Sequence, residues 1–122
     1  MNPKNSDFKV SYIKSKGKSP THPHFTLKLE GNLLYYNGIS NTPILGAQNF
    51  EIEKSKFKKI TEAFQKSNFS NFDKLYQGNI RDLSMTSIIY KNHEVKFQSK
   101  QAPKELKELA LLLESLLTDL KN

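Results

Sequence analysis

Two histidines at alternate positions are the residues of this chain best spaced for metal chemistry. His22 and His24 lie just before an alternating apolar run. Alternate residues of a strand point to the same side, so both imidazoles can reach one zinc ion. Pro23 between them removes a backbone donor and suits a strand edge, and His93 falls at a predicted turn with nothing to place it nearby. We therefore interpret the pair as a solvated approach to a hairpin, and we predict no metal and no cofactor.

Asp73 and Asp82 are the carboxylates with the strongest case for acid–base catalysis, because they flank one connection and can approach each other. Turn capping or pairing with lysine is the simpler explanation of both. The five glycines are isolated and no Gly-x-Ser-x-Gly motif occurs. The absence of cysteine excludes disulfides, thiolate metal sites and a cysteine nucleophile. The sequence favours a protein without enzymatic activity; the alternative is an enzyme with an unrecognised site near Asp73, Asp82 and the histidines.

Basic charge raises the question of nucleic acid. The formal net charge is +7, but all but one of the 19 cationic side chains are lysine, and Arg81 is the exception. Specific readout of bases and phosphates relies on the planar fork of arginine. Tyr12, Tyr35 and Tyr36 could stack on bases, yet strand alternation places at least one of the adjacent pair in the core. We predict no specific nucleic-acid partner and keep a weak, lysine-mediated polyanion binder as an alternative.

Hydrophobic periodicity predicts the elements that carry these residues. Strands are predicted over 8–13, 25–30, 33–38 and about 45–52, with turns at Gly31-Asn32 and Asn37-Gly38. Apolar residues three and four apart predict a helix within 53–67. A second hairpin follows within 82–97, with its turn at Asn92-His93. A leucine stripe from Leu106 to Leu120 predicts a final helix that begins near Pro103.

These elements predict an α+β fold. We expect an antiparallel sheet of about six strands, in the order ββββαββα, with two helices packed on one face. Residues 1–7 are predicted to be disordered, and residues 8–122 to form a single domain. No apolar stretch is long enough for a transmembrane segment. The sequence leaves the oligomeric state open.

Five stretches, taken in order, resemble a bacterial family catalogued as domain of unknown function 6438. They span about residues 20–118 and read FTLKLEGNLLYYNG, FEIEKSKFKKI, FDKLY, RDLSMTSIIY and APKELKELALLLESLL. Family members often carry a Cys-rich segment that ends in Cys-Pro. Pro23 matches that proline, whereas Lys18 and His22 stand where the cysteines would be. This departure from the family pattern excludes a thiol or disulfide role for this chain.

The resemblance also bears on compartment and function. It implies no catalytic residues, because no activity is established for the family. It favours the cell envelope or periplasm if an export signal has been removed, and the cytoplasm otherwise. Taken with the missing catalytic motifs, these features favour a non-enzymatic domain that binds a protein or cell-envelope partner through its sheet face or edge.

Overall fold

The computed structural model describes residues 8–15, 21–79 and 84–121, and within them the chain forms seven strands and two α-helices. The segment predicted to be disordered, 1–7, lies outside the described residues. The strands are β1 (Lys9–Ser15), β2 (His24–Glu30), β3 (Leu33–Ser40), β4 (Gly46–Glu51), β5 (Leu75–Tyr76), β6 (Met85–Tyr90) and β7 (His93–Phe97). The helices are α1 (Lys54–Lys66) and α2 (Lys104–Glu114), with short 3-10 turns at Phe69–Asn71, Ser99–Gln101 and Ser115–Asp119.

All seven strands form one sheet in the order β4-β3-β2-β1-β6-β7-β5. Neighbouring strands are antiparallel except β5 and β7, which are parallel. The predicted α+β class is confirmed, but the sheet is mixed and has one strand more than the six expected. The sequence does not predict β5 because two residues are too few to show an alternation.

One face of the sheet, which we call the helix-covered face, holds the core. Along β1, β2 and β3 the buried residues alternate with more exposed ones, so the buried set faces one way. The register then aligns these residues across the strands. Val10 lies opposite Leu29 and Tyr90; Tyr12 lies opposite Leu27 and Ile88; Leu27 and Leu29 lie opposite Tyr36 and Leu34; Ile88 lies opposite Val95.

Each helix buries one stripe against this face. Phe57, Ile60 and Phe64 of α1 are buried at intervals of three and four residues, as the sequence predicts. The buried residues of α2 are Leu106, Leu109, Ala110 and Leu113. The aromatic connection after α1 joins the same core: the ring of Phe69 packs 5.8 Å from that of Phe64 and edge-on to that of Tyr90, at 5.8 Å.

The second hairpin turns one residue earlier than the sequence predicts. Lys91 and Asn92 have φ values of 51° and 64°, so both adopt the left-handed conformation of a two-residue hairpin turn. His93 is therefore the first residue of β7, opposite Tyr90. The predicted turn at Asn92-His93 is wrong. Lys91 adopts a positive φ, which a sequence-based prediction expects mainly of glycine and asparagine.

The predicted turn at Asn37-Gly38 is also wrong, because β3 continues to Ser40. A Cβ atom on Gly38 would lie 2.0 Å from the carbonyl oxygen of Ile44, so only glycine fits at this point of the strand. The hydroxyl of Tyr36 donates a hydrogen bond to the same carbonyl at 2.6 Å. Gly38 thus lets the connection between β3 and β4 fold closely against the strand rather than ending it.

The final helix is shorter than the leucine stripe suggests. α2 ends at Glu114 and continues as a 3-10 turn over Ser115–Asp119. The hydroxyls of Ser115 and Thr118 donate to carbonyls three residues earlier, at 2.5 Å and 2.9 Å. Such local hydrogen bonds compete with helix geometry. Leu116 nevertheless remains buried, so the stripe continues through the change of helix type.

A buried phenol links the sheet to the end of α2. The hydroxyl of Tyr12 donates a hydrogen bond to the carboxylate of Glu114, and the Lys14 ammonium lies 3.6 Å from that carboxylate. Burial, followed by the hydrogen bond and the negative charge of Glu114, raises the pKa of Tyr12 well above its usual range. The phenol therefore stays protonated in the folded protein at pH values where an unfolded chain would lose the proton.

We expect Leu113→Ala to lower the free energy of unfolding by about 2–5 kcal/mol, because it removes buried methyl groups and leaves a cavity. Leu113 is 2% exposed. The matched control is Leu111→Ala on the same helix, where the side chain is 64% exposed and the expected change is within about 0.5 kcal/mol. Urea unfolding of both variants at two protein concentrations is the measurement. Equal midpoints for the two variants would contradict the burial of α2 in the core.

We also expect stability to depend on pH through Tyr12. A raised folded pKa stabilises the protein below the unfolded pKa of about 10, and this stability is lost as the pH rises further. Above pH 10 the wild type should therefore lose about 1.4 kcal/mol per pH unit more than Tyr12→Phe, which has no proton to lose. Urea unfolding from pH 8 to pH 11 measures the slope, with Tyr35→Phe as the exposed control. Parallel slopes for wild type and Tyr12→Phe would refute the assignment.

Candidate binding surface

The second face of the sheet, which we call the open face, carries the residues that alternate with the core. In register across β4, β3 and β2 these are Ala47, Asn37 and Thr26, then Asn49, Tyr35 and Lys28. Small and polar side chains predominate, with exposed apolar exceptions concentrated on β3. Tyr35 is 39% exposed and Ile39 is 46% exposed. The open face is therefore mixed: Tyr35 and Ile39 are exposed along β3, and Ile13 and Ile89, which lie on the same face near the centre of the sheet, are half-buried.

β4 forms one end of the sheet, and half of its backbone groups point away from β3. The N–H of Ile52, just after β4, donates to the carbonyl of Asn32 at 2.8 Å. In an antiparallel pair, residues that face the neighbouring strand alternate with residues that face away. Counting back from Ile52, the N–H and C=O groups of Ala47, Asn49 and Glu51 face away. We call these outward groups the β4 edge.

The two ends of the sheet differ in protection. Natural proteins guard edge strands by shortness, lysine, proline or bulges, because unpaired backbone groups invite another strand. β5, at one end, has only two residues. β4, at the other end, has six residues and contains neither lysine nor proline. Its burial is also low: Gly46, Ala47, Asn49 and Glu51 are exposed. Apart from the charged Glu51 at its end, the β4 edge therefore lacks the usual protection.

Charge is distributed unevenly around this edge. Residues 29–53 contain no lysine or arginine, although the chain as a whole carries 19. Glu51 forms no ion pair with any described residue, whereas Glu30 on β2 pairs with Lys28 at 3.0 Å. The carboxylate of Glu51, at the C-terminal end of β4, is therefore available to pair with a cation.

The C-terminal segment contacts β4 through a side chain. The amide of Gln48 donates to the carbonyl of Lys121 and accepts from its N–H, the second bond measuring 3.0 Å. The side chain of Gln48 lies on the helix-covered face, since it is opposite Tyr36. These bonds use the amide of a side chain and none of the outward groups at Ala47, Asn49 and Glu51.

A shallow depression of about 510 Å³ lies on the open face beside the β4 edge. Tyr35 and Ala47 contribute the aromatic ring and the smallest side chain of its lining, and the other residues are Thr26, Lys28, Tyr36, Asn37, Gln48 and Asn49. The depression exists because Ala47 and Asn37 are shorter than their neighbour Tyr35. It offers room for one bulky side chain from a molecule bound at the edge.

His93 contacts a different part of the structure from the segment that holds His22 and His24. His24 begins β2 opposite Ser40. Nδ1 of His22 is buried without a hydrogen-bond partner among the described residues. His93 instead contacts the aromatic connection: its Nε2 lies 2.9 Å from the carbonyl oxygen of Phe72. Within residues 8–15, 21–79 and 84–121, no three His, Cys, Asp or Glu side chains are grouped so as to hold a metal ion.

Of the two carboxylates singled out in the sequence, only Asp73 lies within the described residues. Asp73 is exposed, and its backbone N–H donates to the hydroxyl of Tyr76 at 2.8 Å. Asp82 and Arg81 lie outside the described residues. The backbone of Asp73 therefore takes part in a local turn next to β5.

Sequence reasoning considered sheet edges in general but did not identify β4. Alternation predicts that 45–52 is a strand, yet it does not say which strand ends the sheet. The signal was present in the run of residues 29–53 without a cation. That run becomes informative only when β4 is known to have a single neighbour.

We expect zinc at modest excess to change the melting temperature very little, because His22 and His24 are offered no third ligand by the described residues. A ligand of the folded state would instead stabilise it by mass action. Thermal unfolding with and without zinc measures this, with His22→Ala as the variant and His93→Ala as the control. A saturable stabilisation lost only in His22→Ala would establish a site.

Comparison with known proteins identifies a family and no activity. No curated protein matches the chain. None of the helices in the described ranges has the length and apolar character needed to cross a membrane. One family model matches residues 14–117, most of the chain and close to the span expected from the five sequence stretches. The chain therefore belongs to the family described as domain of unknown function (DUF6438).

Proposed function

We propose that this protein is a non-enzymatic binding domain that receives an extended segment of a protein partner as an added strand at the β4 edge. One observation supports this above all. β4 is a six-residue end strand without lysine or proline, and three of its residues direct both N–H and C=O away from β3. In strand addition, main-chain hydrogen bonds supply affinity and the neighbouring side chains supply specificity.

The surroundings of the edge fit this role. The depression beside β4 supplies a recess for a side chain of the added strand. Exposed Leu45 and Ile39 lie close to the start of β4 and add apolar surface next to it. A partner strand would cover part of this surface while satisfying the outward backbone groups.

The two other candidate functions have less support. An enzyme would need converging titratable groups, and Asp73 is exposed in a local turn with Tyr76. A weak polyanion binder would need cations concentrated on a surface. Lys14, Lys28 and Lys56 are each paired with a carboxylate, at 3.6, 3.0 and 2.7 Å. Strand addition is favoured because it uses groups that the fold leaves without a partner strand.

The test uses short capped peptides with alternating side chains and single lysine or glutamate variants of them. We expect at least one peptide to bind and to slow hydrogen exchange at the amides of Ala47, Asn49 and Glu51. Asn49→Pro removes an outward N–H without removing a ladder donor to β3, so affinity should fall about tenfold. Asn49→Ala keeps that N–H and is the matched control.

Urea unfolding verifies that Asn49→Pro is folded. Asn49→Lys provides a second edge-blocking variant, because lysine is a natural deterrent to edge pairing. No protection by any peptide, or equal binding by Asn49→Pro and Asn49→Ala, would refute strand addition at β4.

A further inference from the structure

We propose that the added strand runs antiparallel to β4 and carries a lysine opposite Glu51 and a bulky apolar residue opposite Ala47. This inference rests on the proposed function and names the chemistry of the partner segment. Read from its N-terminus, the segment has the pattern lysine, any residue, small polar residue, any residue, bulky apolar residue. The three specified side chains would lie opposite Glu51, Asn49 and Ala47.

The direction follows from the backbone. Each of Ala47, Asn49 and Glu51 presents both its N–H and its C=O on the outward side. In an antiparallel pair, a residue of this kind exchanges both bonds with the single residue opposite it. A parallel strand would share these bonds between two residues in a slanted pattern, which is slightly less stable per residue. In the antiparallel arrangement, each outward residue of β4 therefore exchanges both of its backbone hydrogen bonds with one residue of the added strand.

The lysine follows from the charge of the edge. Glu51 is exposed and forms no ion pair with any described residue, whereas Glu30 and Glu114 each lie beside a lysine. The stretch 29–53 supplies no cation for Glu51 from its own strands. Directly opposite residues of opposite charge stabilise a strand pair, and like charges destabilise it. A lysine at the first position of the pattern is the complementary residue.

The apolar residue follows from shape. Ala47 has only a methyl group, and the depression of about 510 Å³ extends from it toward Tyr35. A leucine or phenylalanine opposite Ala47 can extend over that methyl group toward the partly exposed ring of Tyr35. Its burial removes apolar surface of both molecules from water.

A second copy of this chain fits the edge less well. When two β4 strands pair about Asn49, Glu51 lies opposite Ala47 of the other copy and receives no cation. β4 itself contains no lysine, so no register of this pairing supplies one. The self-paired edge also leaves the depression without a bulky apolar side chain, because the residue opposite Ala47 is then the Glu51 of the other copy. A lysine-bearing segment of another protein is therefore the occupant that the side chains favour.

The probe is a capped heptapeptide, Thr-Lys-Val-Thr-Val-Leu-Thr, titrated against the full chain and followed by hydrogen exchange at β4. We expect it to bind about threefold more tightly than the peptide with threonine in place of lysine, and about tenfold more tightly than the peptide with glutamate. Glu51→Lys should reverse the order of the lysine and glutamate peptides. Glu62→Lys, which changes the same charge on α1, should leave the order unchanged.

A peptide with lysine and leucine exchanged, Thr-Leu-Val-Thr-Val-Lys-Thr, tests direction, because it matches β4 only when parallel. Equal or tighter binding of this peptide would overturn the antiparallel pattern. Equal binding of the lysine, threonine and glutamate peptides would overturn the charge assignment. Either result would remain consistent with strand addition at β4, provided that the peptides slow hydrogen exchange at the outward amides.

Sedimentation tests the second copy directly. A dimer that Asn49→Pro dissociates, and that the lysine peptide does not displace, would overturn the proposed partner class while retaining pairing at β4. Failure of every peptide together with a monomeric protein would contradict the proposed function itself. We expect a monomer whose β4 amides are protected only when the lysine peptide is added.

Discussion

The register of β1 is the constraint on which the rest of the structure depends. β1 is paired on both sides, with β2 and with β6, and it joins two hairpins into one sheet. Its side chains Val10 and Tyr12 must face the helices in both pairings at once. A slip of one residue would move them to the open face and place Ser11 in the core. Because apolar residues of both neighbours stand opposite β1, such a slip would lose core contacts on two sides.

One-sided burial follows from that register, and the strand order then determines which strands lie at the ends of the sheet. Two helices cover a single face of the sheet, and no helix of the described residues packs on the other face. The sheet does not close on itself, so it has two end strands. The fold shortens β5 to two residues, yet it leaves six residues in β4. The unprotected edge is thus a consequence of strand order and not of any single unusual residue.

The C-terminal segment contacts β4 without using the outward backbone groups of that strand. Asp119 accepts two hydrogen bonds from Lys56 of α1, at 2.7 Å and 2.8 Å, which holds the segment beneath the sheet. Lys121 then meets the side chain of Gln48 on the helix-covered face. The side chain of Gln48 therefore supplies hydrogen bonds to the chain end while the outward groups of β4 point elsewhere. The same segment therefore contacts β4 through a side chain and uses none of its outward backbone groups.

The sequence by itself determined the local elements and the face that each one buries. Alternation in 25–30 and 33–36, and the stripe of Phe57, Ile60 and Phe64, depend on residues close together in the chain, and local periodicity predicts both. The family could also be recognised, because it rests on the order of short stretches. The missing cysteines likewise excluded thiol chemistry without any structure.

Only the tertiary structure decided how these elements are combined. The pairing of β1 with β6 joins residues about 75 positions apart, and no local pattern encodes such a contact. That pairing determines which strand becomes the end of the sheet, and hence which carbonyl and amide groups lack a neighbour. The positive φ of Lys91 belongs to the two-residue turn between β6 and β7, and the two-residue strand β5 exists through its pairing with β7. The chemistry of Glu51 and Ala47 was visible in the sequence, but their role at an edge depends on a strand order that only long-range packing sets.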